Sequence, residues 1–277
     1  MFRIVFIACL MWTATTRAEP ARVVSLNPCL DTILLGVADR AQIAALSHYS
    51  RDGNNFTNAG DAATLPSTTG AAEEVAALRP DLVLTGLRFA PATQGAFARL
   101  AIPVAVLPLP ETVADSLAQV LAVAALVGRP DRGQAMIAAI ESALAKAAPP
   151  AGAAPIDALV FQSNGFASAP GTLMDDLMGR AGFVNVARRY GLTQSGHVPL
   201  ETVMADPPHV LLVGQRRPGM PAWADRVIGH PALVKLGRRV TLAPFPAKYL
   251  YCGGPVMAFA AEALAAARPG SRPRGSP

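Results

Sequence analysis

The segment "EEVAALRPDLVLTG", residues 73–86, has a second copy, "ETVMADPPHVLLVG", at residues 201–214. Aligned without gaps, the two copies share six of fourteen residues, namely Glu, Val, Ala, Pro, Leu and Gly. Each copy opens with apolar residues at helical spacing, is interrupted by a proline, and continues into a short apolar run typical of a buried strand. The chain therefore repeats one helix-to-strand unit, which predicts two related lobes.

Strands and helices alternate around both copies. "RVVSLNP" (22–28) predicts a strand and a turn into the helix "CLDTILLGVA" (29–38). Further strands are predicted at "AQIAALS" (41–47), "PVAVLPL" (103–109), "IDALVFQ" (156–162) and "RRVTLAP" (238–244). Alternation of this kind indicates parallel sheets in an α/β fold. Ligands of such sheets bind outside the carboxyl ends of the strands, here after Leu26, Ser47, Leu84, Gln162, Val213 and Ala243.

Two segments depart from the alternation. Residues 48–70 are rich in Gly, Asn, Ser and Thr, which predicts an exposed loop. Residues 112–148 are rich in Ala and Leu, which predicts helix interrupted only at 128–130. The expected organisation is a leader (1–18), an N-terminal α/β lobe (19–128), an interlobe helix (129–150), a C-terminal α/β lobe (151–270) and a disordered tail (271–277).

The first eighteen residues have the features of a cleavable export signal. Arg3 supplies positive charge, "IVFIACLMW" (4–12) is an apolar core too short to cross a bilayer, and "TATTRA" (13–18) has small residues suited to cleavage. We expect a mature chain that begins near Glu19, resides in the periplasm and is not embedded in the membrane. The alternative, a lipid anchor on Cys9, is disfavoured because "FIA" before it matches a lipoprotein site poorly.

Charge and motif content exclude several classes of function. The formal net charge is +5, or +3 without Arg3 and Arg17, and the basic residues are scattered, so nucleic acid is not an expected partner. The four histidines are isolated from one another, so no bound metal or other cofactor is expected. The usual hydrolase, phosphate-loop, dinucleotide and zinc-peptidase motifs are missing from the sequence, which disfavours an enzyme.

Six motifs in fixed order carry a family resemblance: "RVVSLNP", "EEVAALRPDLVLTG", "LAIPVAVLP" (100–108), "GRPDRG" (128–133), "PGTLMDDLMGRAGFVNVA" (170–187) and "VPLETVMADPPHVLLVG" (198–214). Across nearly the whole mature chain, the sequence resembles the periplasmic solute-binding proteins of ABC importers for vitamin B12, ferric siderophores and haem. The resemblance implies the class III architecture, in which one long interlobe α-helix joins two Rossmann-like lobes around a ligand cleft. It also implies a monomer that captures a metal chelate and passes it to importer permease subunits without catalysis.

The resemblance further implies that one glutamate at the tip of each lobe docks with permease arginines. By position in the motif these are Glu73 and Glu201, with Glu74 as a rival to Glu73. A carboxylate and a guanidinium can form two parallel hydrogen bonds, and two distant pairs fix orientation as well as contact. The alternative is that each glutamate only stabilises a helix N-terminus.

The cleft residues are also inferred through the resemblance. Vitamin B12-binding relatives line the cleft with several aromatics; Tyr49 matches one such position, whereas Ser67 and Gly86 align with tryptophans. Large chelates favour aromatic walls with a few polar contacts. The candidates that could supply them are Asn27, Cys29, His48, Tyr49, Asn164, Phe166, Arg216, Trp223, Lys248, Tyr249 and Tyr251.

Three interpretations of the mature chain's two cysteines remain open. Cys29 follows the first strand and Cys252 precedes the last helix, so both are expected near the cleft. They could form a disulfide that restricts lobe opening, remain buried thiols, or offer soft ligands to a bound metal complex. Two rival functions also remain: a periplasmic sensor or accessory protein on the same fold, and an exported α/β enzyme.

Overall fold

The computed structural model of the protein describes residues 19–86, 90–215, 230–237 and 239–270. The predicted leader (1–18) and tail (271–277) lie outside these ranges, as do the candidate ligand contacts Arg216 and Trp223. Within the described part of the chain, no helix combines the length and the apolar character needed to span a membrane.

The first half of the chain forms a five-stranded parallel sheet with helices between the strands. Its strands are β1 (Val23–Ser25), β2 (Ile43–Ser47), β3 (Ser67–Thr68), β4 (Leu82–Thr85) and β5 (Val104–Val106). Its helices are α1 (Pro28–Val37), α2 (Ala59–Ala63), α3 (Ala72–Ala77) and α4 (Pro91–Arg99). The strand order is β3, β2, β1, β4, β5.

The second half contains a four-stranded parallel sheet in the order β11, β10, β6, β8, and a small antiparallel pair, β7 and β9. Its strands are β6 (Ile156–Phe161), β7 (Phe166–Ala167), β8 (Phe183–Asn185), β9 (Gly196–His197), β10 (Val210–Val213) and β11 (Thr241–Pro244). Its helices are α7 (Leu173–Arg180), α8 (Leu200–Ala205), α9 (Pro231–Leu236) and α10 (Val256–Ala267). The mixed α/β class and the parallel sheets agree with the sequence prediction.

The repeated segment occupies equivalent places in the two sheets. In the first copy α3 leads into β4, which lies between β1 and β5; in the second α8 leads into β10, which lies between β6 and β11. The shared valines, Val75 and Val203, and the shared leucines, Leu84 and Leu212, are fully buried. The shared glutamates, in contrast, are exposed in the first turns of their helices. Packing therefore explains the shared apolar residues but not the glutamates.

Two consecutive helices connect the halves. Helix α5 (Val113–Leu126) begins at a capping box in which Thr112 and Asp115 exchange hydrogen bonds, and α6 (Pro130–Ala147) begins with a proline in its first turn. Helix α6 packs against α1 and α5 and also against α10 of the second half. Its buried residues Ile137 and Ile140 belong to one apolar core that includes residues of both sheets. This shared core holds the two halves in one arrangement.

The prediction of an exposed loop at 48–70 is wrong in part. The segment contains a short 3-10 helix (His48–Arg51), α2 and β3. Ser50 is fully buried, and Ala62 and Thr68 are 1% and 4% exposed. Polar composition does not show that a segment can be held against a helix by the hydrogen bonds it donates to a carboxylate distant in sequence, which is the arrangement found here around Asp31.

Candidate ligand-binding cleft

Within the part of the chain that the structure describes, two neighbouring cavities lie between the halves of the molecule. The first, which we call the polar chamber, has a volume of about 220 Å³. Its polar lining comes from the segments that follow β2, β6, β10 and β11: Asn54, Gln162, Ser163, Gln215 and Lys248. These segments lie at the carboxyl ends of parallel strands, where ligands of such sheets bind.

The second cavity, the apolar chamber, has a volume of about 250 Å³. Its aliphatic lining joins the segment after β5 to the start of α7 and the segment before α10: Leu109, Pro110, Leu173, Met174 and Leu250. Phe166 and Tyr251 line both chambers, so these two aromatic side chains lie at their junction. The two chambers together form the candidate cleft.

A disulfide between Cys29 and Cys252 joins the two halves at the wall of the apolar chamber. Next to it, the backbone N–H of Gly254 donates to Ser116 Oγ of α5 over 2.7 Å. Gly254 has a φ of +60°, and a Cβ there would lie 2.7 Å from Ile33 Cγ1 of α1. A residue with a side chain would be strained at this φ and would collide with Ile33, which explains the glycine. A covalent bond and close backbone packing therefore set the width of the cleft on this side.

The buried carboxylate of Asp31, on α1, anchors the segment that carries His48 and Tyr49. Its Oδ2 accepts from the backbone N–H of Ser47 at 2.9 Å and from Ser50 Oγ. Asp31 is fully buried, and its Oδ1 has no hydrogen-bond partner. Burial raises the pKa of Asp31 from 3.8 to about 7, although the hydrogen bonds oppose the shift.

Because of this raised pKa, we expect Asp31 to make the free energy of unfolding depend on pH, and we expect Asp31→Asn to remove that contribution. The native state retains the Asp31 proton between pH 3.8 and about 7, whereas the unfolded state releases it. The contribution of Asp31 to the free energy of unfolding therefore falls as pH rises through this range, by at most about 1.4 kcal/mol per pH unit. Denaturant unfolding of the wild type and Asp31→Asn at pH 4–8 measures the difference in slope.

Asp39 provides a control of opposite sign. Hydrogen bonds from Arg129 and Arg132 lower the pKa of Asp39, so its contribution to stability is lost as pH falls through the lowered pKa. Asp39→Asn should therefore leave the Asp31 slope between pH 5 and 7 intact. Equal slopes for the wild type and Asp31→Asn over that range would contradict the assignment to Asp31.

Four of the candidate ligand contacts are brought together in the cleft: Cys29, Phe166, Lys248 and Tyr251. Five others line neither chamber: Asn27, His48, Tyr49, Asn164 and Tyr249. Asn27 caps α1 by accepting from Cys29 N and Leu30 N, and the Tyr249 ring lies 6.0 Å from that of Phe259.

The His48 and Tyr49 rings lie 3.9 Å apart, and Tyr49 is 61% exposed. The backbone carbonyl of Asn164 lies 3.1 Å from His197 Nδ1. His48 and Tyr49 therefore stay candidates at the surface rather than in a chamber.

Several cleft residues were not among the sequence candidates, including Gln162, Leu109 and Glu111. Gln162 is 4% exposed, and its Nε2 donates to the backbone carbonyl of Phe245 over 3.0 Å. The rule that ligands bind at the carboxyl ends of strands located the segments after β6, β10 and β11. It could not select these side chains, because their neighbours come from distant parts of the chain.

The two glutamates at the repeat differ from Glu74 in their hydrogen bonding. Glu74 Oε2 accepts from Thr68 Oγ1 and Thr69 N, each at 2.8 Å, and these bonds lower the pKa of Glu74. Glu73 and Glu201 are exposed, and within the described part of the chain neither takes part in an ion pair. Glu74 stabilises its own loop, which leaves Glu73 as the counterpart of Glu201.

A cleft lined by aromatic, amide and aliphatic side chains between two parallel-sheet lobes is typical of proteins that bind a small molecule. Within the described ranges, no group of three His, Cys, Asp or Glu residues is placed to hold a metal ion. The chain belongs to the periplasmic binding protein family, whose sequence profile matches residues 23–244. As a member of this family it is a solute-binding protein and not an enzyme.

Solved structures share this fold at low sequence identity. The periplasmic heme-binding protein RhuT from Roseiflexus sp. RS-1, in the apo form, gives a TM-score of 0.69 at 22% identity, over 89% of this chain and 98% of that chain. The periplasmic vitamin B12-binding protein BtuF of Vibrio cholerae gives a TM-score of 0.67 at 16% identity, over 89% of this chain and 96% of that chain. Helicobacter pylori CeuE with Ni(II) bound gives a TM-score of 0.70 at 15% identity, over 93% of this chain and 86% of that chain. No curated protein sequence matches the chain.

Proposed function

We propose that this protein captures a metal chelate, of the haem, corrinoid or ferric siderophore type, and delivers it to an ABC importer permease. The observation that carries the proposal is the cleft itself, in which Phe166 and Tyr251 stand between a polar and an apolar chamber. Chelates of this size combine apolar surface with a few polar groups, which suits aromatic walls and sparse polar contacts. The names of proteins that share the fold, which refer to heme and vitamin B12, support this ligand class.

Delivery would rest on the exposed glutamates of the two repeat copies. Burial accounts for the shared valines and leucines, but nothing in the packing requires a glutamate at the start of both α3 and α8. A selected contact with a partner accounts for their recurrence. Glu73 and Glu201 would each pair with a permease arginine, one on each lobe.

The same proposal includes export and a monomeric state. The leader at 1–18 would direct the chain to the periplasm and be removed before Glu19. The mature protein would comprise lobes at 19–128 and 151–270 joined by the interlobe helix at 129–150. In that compartment the Cys29–Cys252 disulfide can persist.

Tryptophan fluorescence tests the ligand class directly. The chain has two tryptophans, and Trp12 belongs to the predicted leader, so Trp223 would be the sole tryptophan of the mature protein. Hemin, cyanocobalamin and a panel of ferric siderophores are titrated separately, with free tryptophan as the inner-filter control. We expect saturable quenching with one-to-one stoichiometry by one class, and calorimetry should give the same stoichiometry. If calorimetry detects no binding of any chelate in the panel, the proposed function is contradicted.

A further inference from the structure

The two chambers are suited to one ligand that spans both. Ligand pockets in proteins usually have volumes of roughly 300–1,000 Å³. The polar chamber, at about 220 Å³, and the apolar chamber, at about 250 Å³, are each smaller than this range. Because Phe166 and Tyr251 line both, a planar group at the junction would contact both rings and extend into both chambers.

The charged residues of the two chambers determine how such a ligand would be oriented in the cleft. Among the residues that the structure describes, Lys248 is the one charged residue that lines the polar chamber. Among the described residues no carboxylate lies within 4.0 Å of its ammonium group. Its Nζ lies 5.8 Å from the centroid of the Tyr249 ring. In the described lining of the apolar chamber the one charged residue is the acidic Glu111. An anion is thus attracted to the first chamber and repelled from the second.

The apolar chamber also presents hydrophobic surface that the fold leaves uncovered. Leu109 lines it and is 70% exposed, the largest exposed fraction among the large hydrophobic side chains that the structure describes. Leu173, Leu250 and the Cys29 end of the disulfide lie in the same lining. An apolar ligand group placed here would remove this surface from water.

We propose that the cleft takes an amphiphilic chelate with its anionic group beside Lys248 in the polar chamber and its apolar body against Leu109 in the apolar chamber. This inference rests on the proposed function and narrows it to chelators that carry a carboxylate or another acidic group. Uncharged chelates of equal size would bind more weakly.

A pair of probes that differ only in charge tests the polar chamber. Hemin carries two free carboxylates, and hemin dimethyl ester carries none. We expect the wild type to bind hemin about tenfold more tightly than the ester, and Lys248→Gln to remove that preference, because only a free carboxylate can form a charge-assisted hydrogen bond with the Lys248 ammonium group. Lys146→Gln is the matched control: it removes the same charge from an exposed position on α6 and should keep the preference.

A second pair of variants tests the apolar chamber. Leu109→Asn should weaken hemin and its ester alike by about tenfold, because each loses the burial of a leucine side chain and no charge is introduced. Leu100→Asn alters another exposed leucine, 57% exposed at the end of α4, and should change neither affinity. Both leucines are exposed, so circular dichroism should show that both variants remain folded.

The outcomes separate this inference from the function on which it rests. If the titration identifies a siderophore class instead of haem, the same comparison uses a ferric siderophore of that class with a carboxylate that does not bind the iron, and the methyl ester of that carboxylate. Equal binding of acid and ester, or a Lys248→Gln variant that retains the preference, would overturn the inference and leave the proposed function standing. Specific binding of uncharged cyanocobalamin alone would do the same. Failure of every chelate to bind the wild type would overturn both.

Discussion

Reversal of both docking charges, Glu73→Arg and Glu201→Arg, is expected to abolish chelate uptake while ligand affinity stays within about twofold of wild type. Loss of one partner of a close charge pair at an interface costs about 2–5 kcal/mol, and reversal adds repulsion between like charges. Two such sites together would reduce productive docking by several orders of magnitude. Neither glutamate lines a cleft chamber, so binding of the ligand should be unaffected.

Uptake of the bound chelate by cells or by permease-containing vesicles measures this effect, and the fluorescence titration measures affinity. Glu141→Arg with Glu262→Arg is the matched control, because it makes the same charge change at exposed positions on α6 and α10. Wild-type uptake by the Glu73 and Glu201 double variant would refute the docking assignment. If the wild type bound a chelate but supported no uptake, a sensor or accessory role would be favoured instead.

Removal of the Cys29–Cys252 disulfide is expected to have the largest effect on stability. The bond joins residues 223 positions apart, so it closes a very long loop in the unfolded chain. The chain-entropy estimate for a loop of this length is about 5 kcal/mol, and mutation of native disulfides commonly costs 2–5 kcal/mol. For a protein of this size we expect Cys29→Ser with Cys252→Ser to lower Tm by about 10 °C.

The disulfide variant should also bind its ligand more weakly, because Cys29 lines the apolar chamber and the bond joins α1 to the segment before α10. Thermal unfolding and the fluorescence titration measure the two effects. Reductant provides the internal control: it should shift the wild type towards the variant and leave the variant unchanged. A Tm equal to that of the wild type in the double variant would show that the shared apolar core and the packing of Gly254 against Ser116 and Ile33 hold the halves together without the disulfide.

Docking through the glutamates and stabilisation by the disulfide involve different parts of the protein, so one panel of variants can separate their effects. The docking glutamates lie at the starts of α3 and α8, whereas the disulfide and both chambers lie between the halves. The docking variants should therefore lose uptake with normal stability and affinity. The disulfide variant should lose stability and affinity, and any loss of uptake should follow from these.

How the cleft is built was only partly predictable from the sequence. The strand boundaries and their carboxyl ends follow from short-range apolar patterns, and these located the segments after β6, β10 and β11. The roles of single side chains did not follow. Asn27 was a candidate ligand contact and caps α1, while Leu109 was not a candidate and lines the apolar chamber.

The sequence by itself determined the α/β class, the duplicated helix-to-strand unit and most of the elements around it, because periodicity and proline breaks act within a few residues along the chain. Only the tertiary structure decided that Asp31 holds the segment at 47–50, that Cys29 bonds to Cys252, and that Lys248 lines the polar chamber with no carboxylate of the described residues within 4.0 Å of its ammonium group. Those features depend on contacts between residues distant in sequence. Burial and charge at such contacts are set by packing, which local patterns do not record.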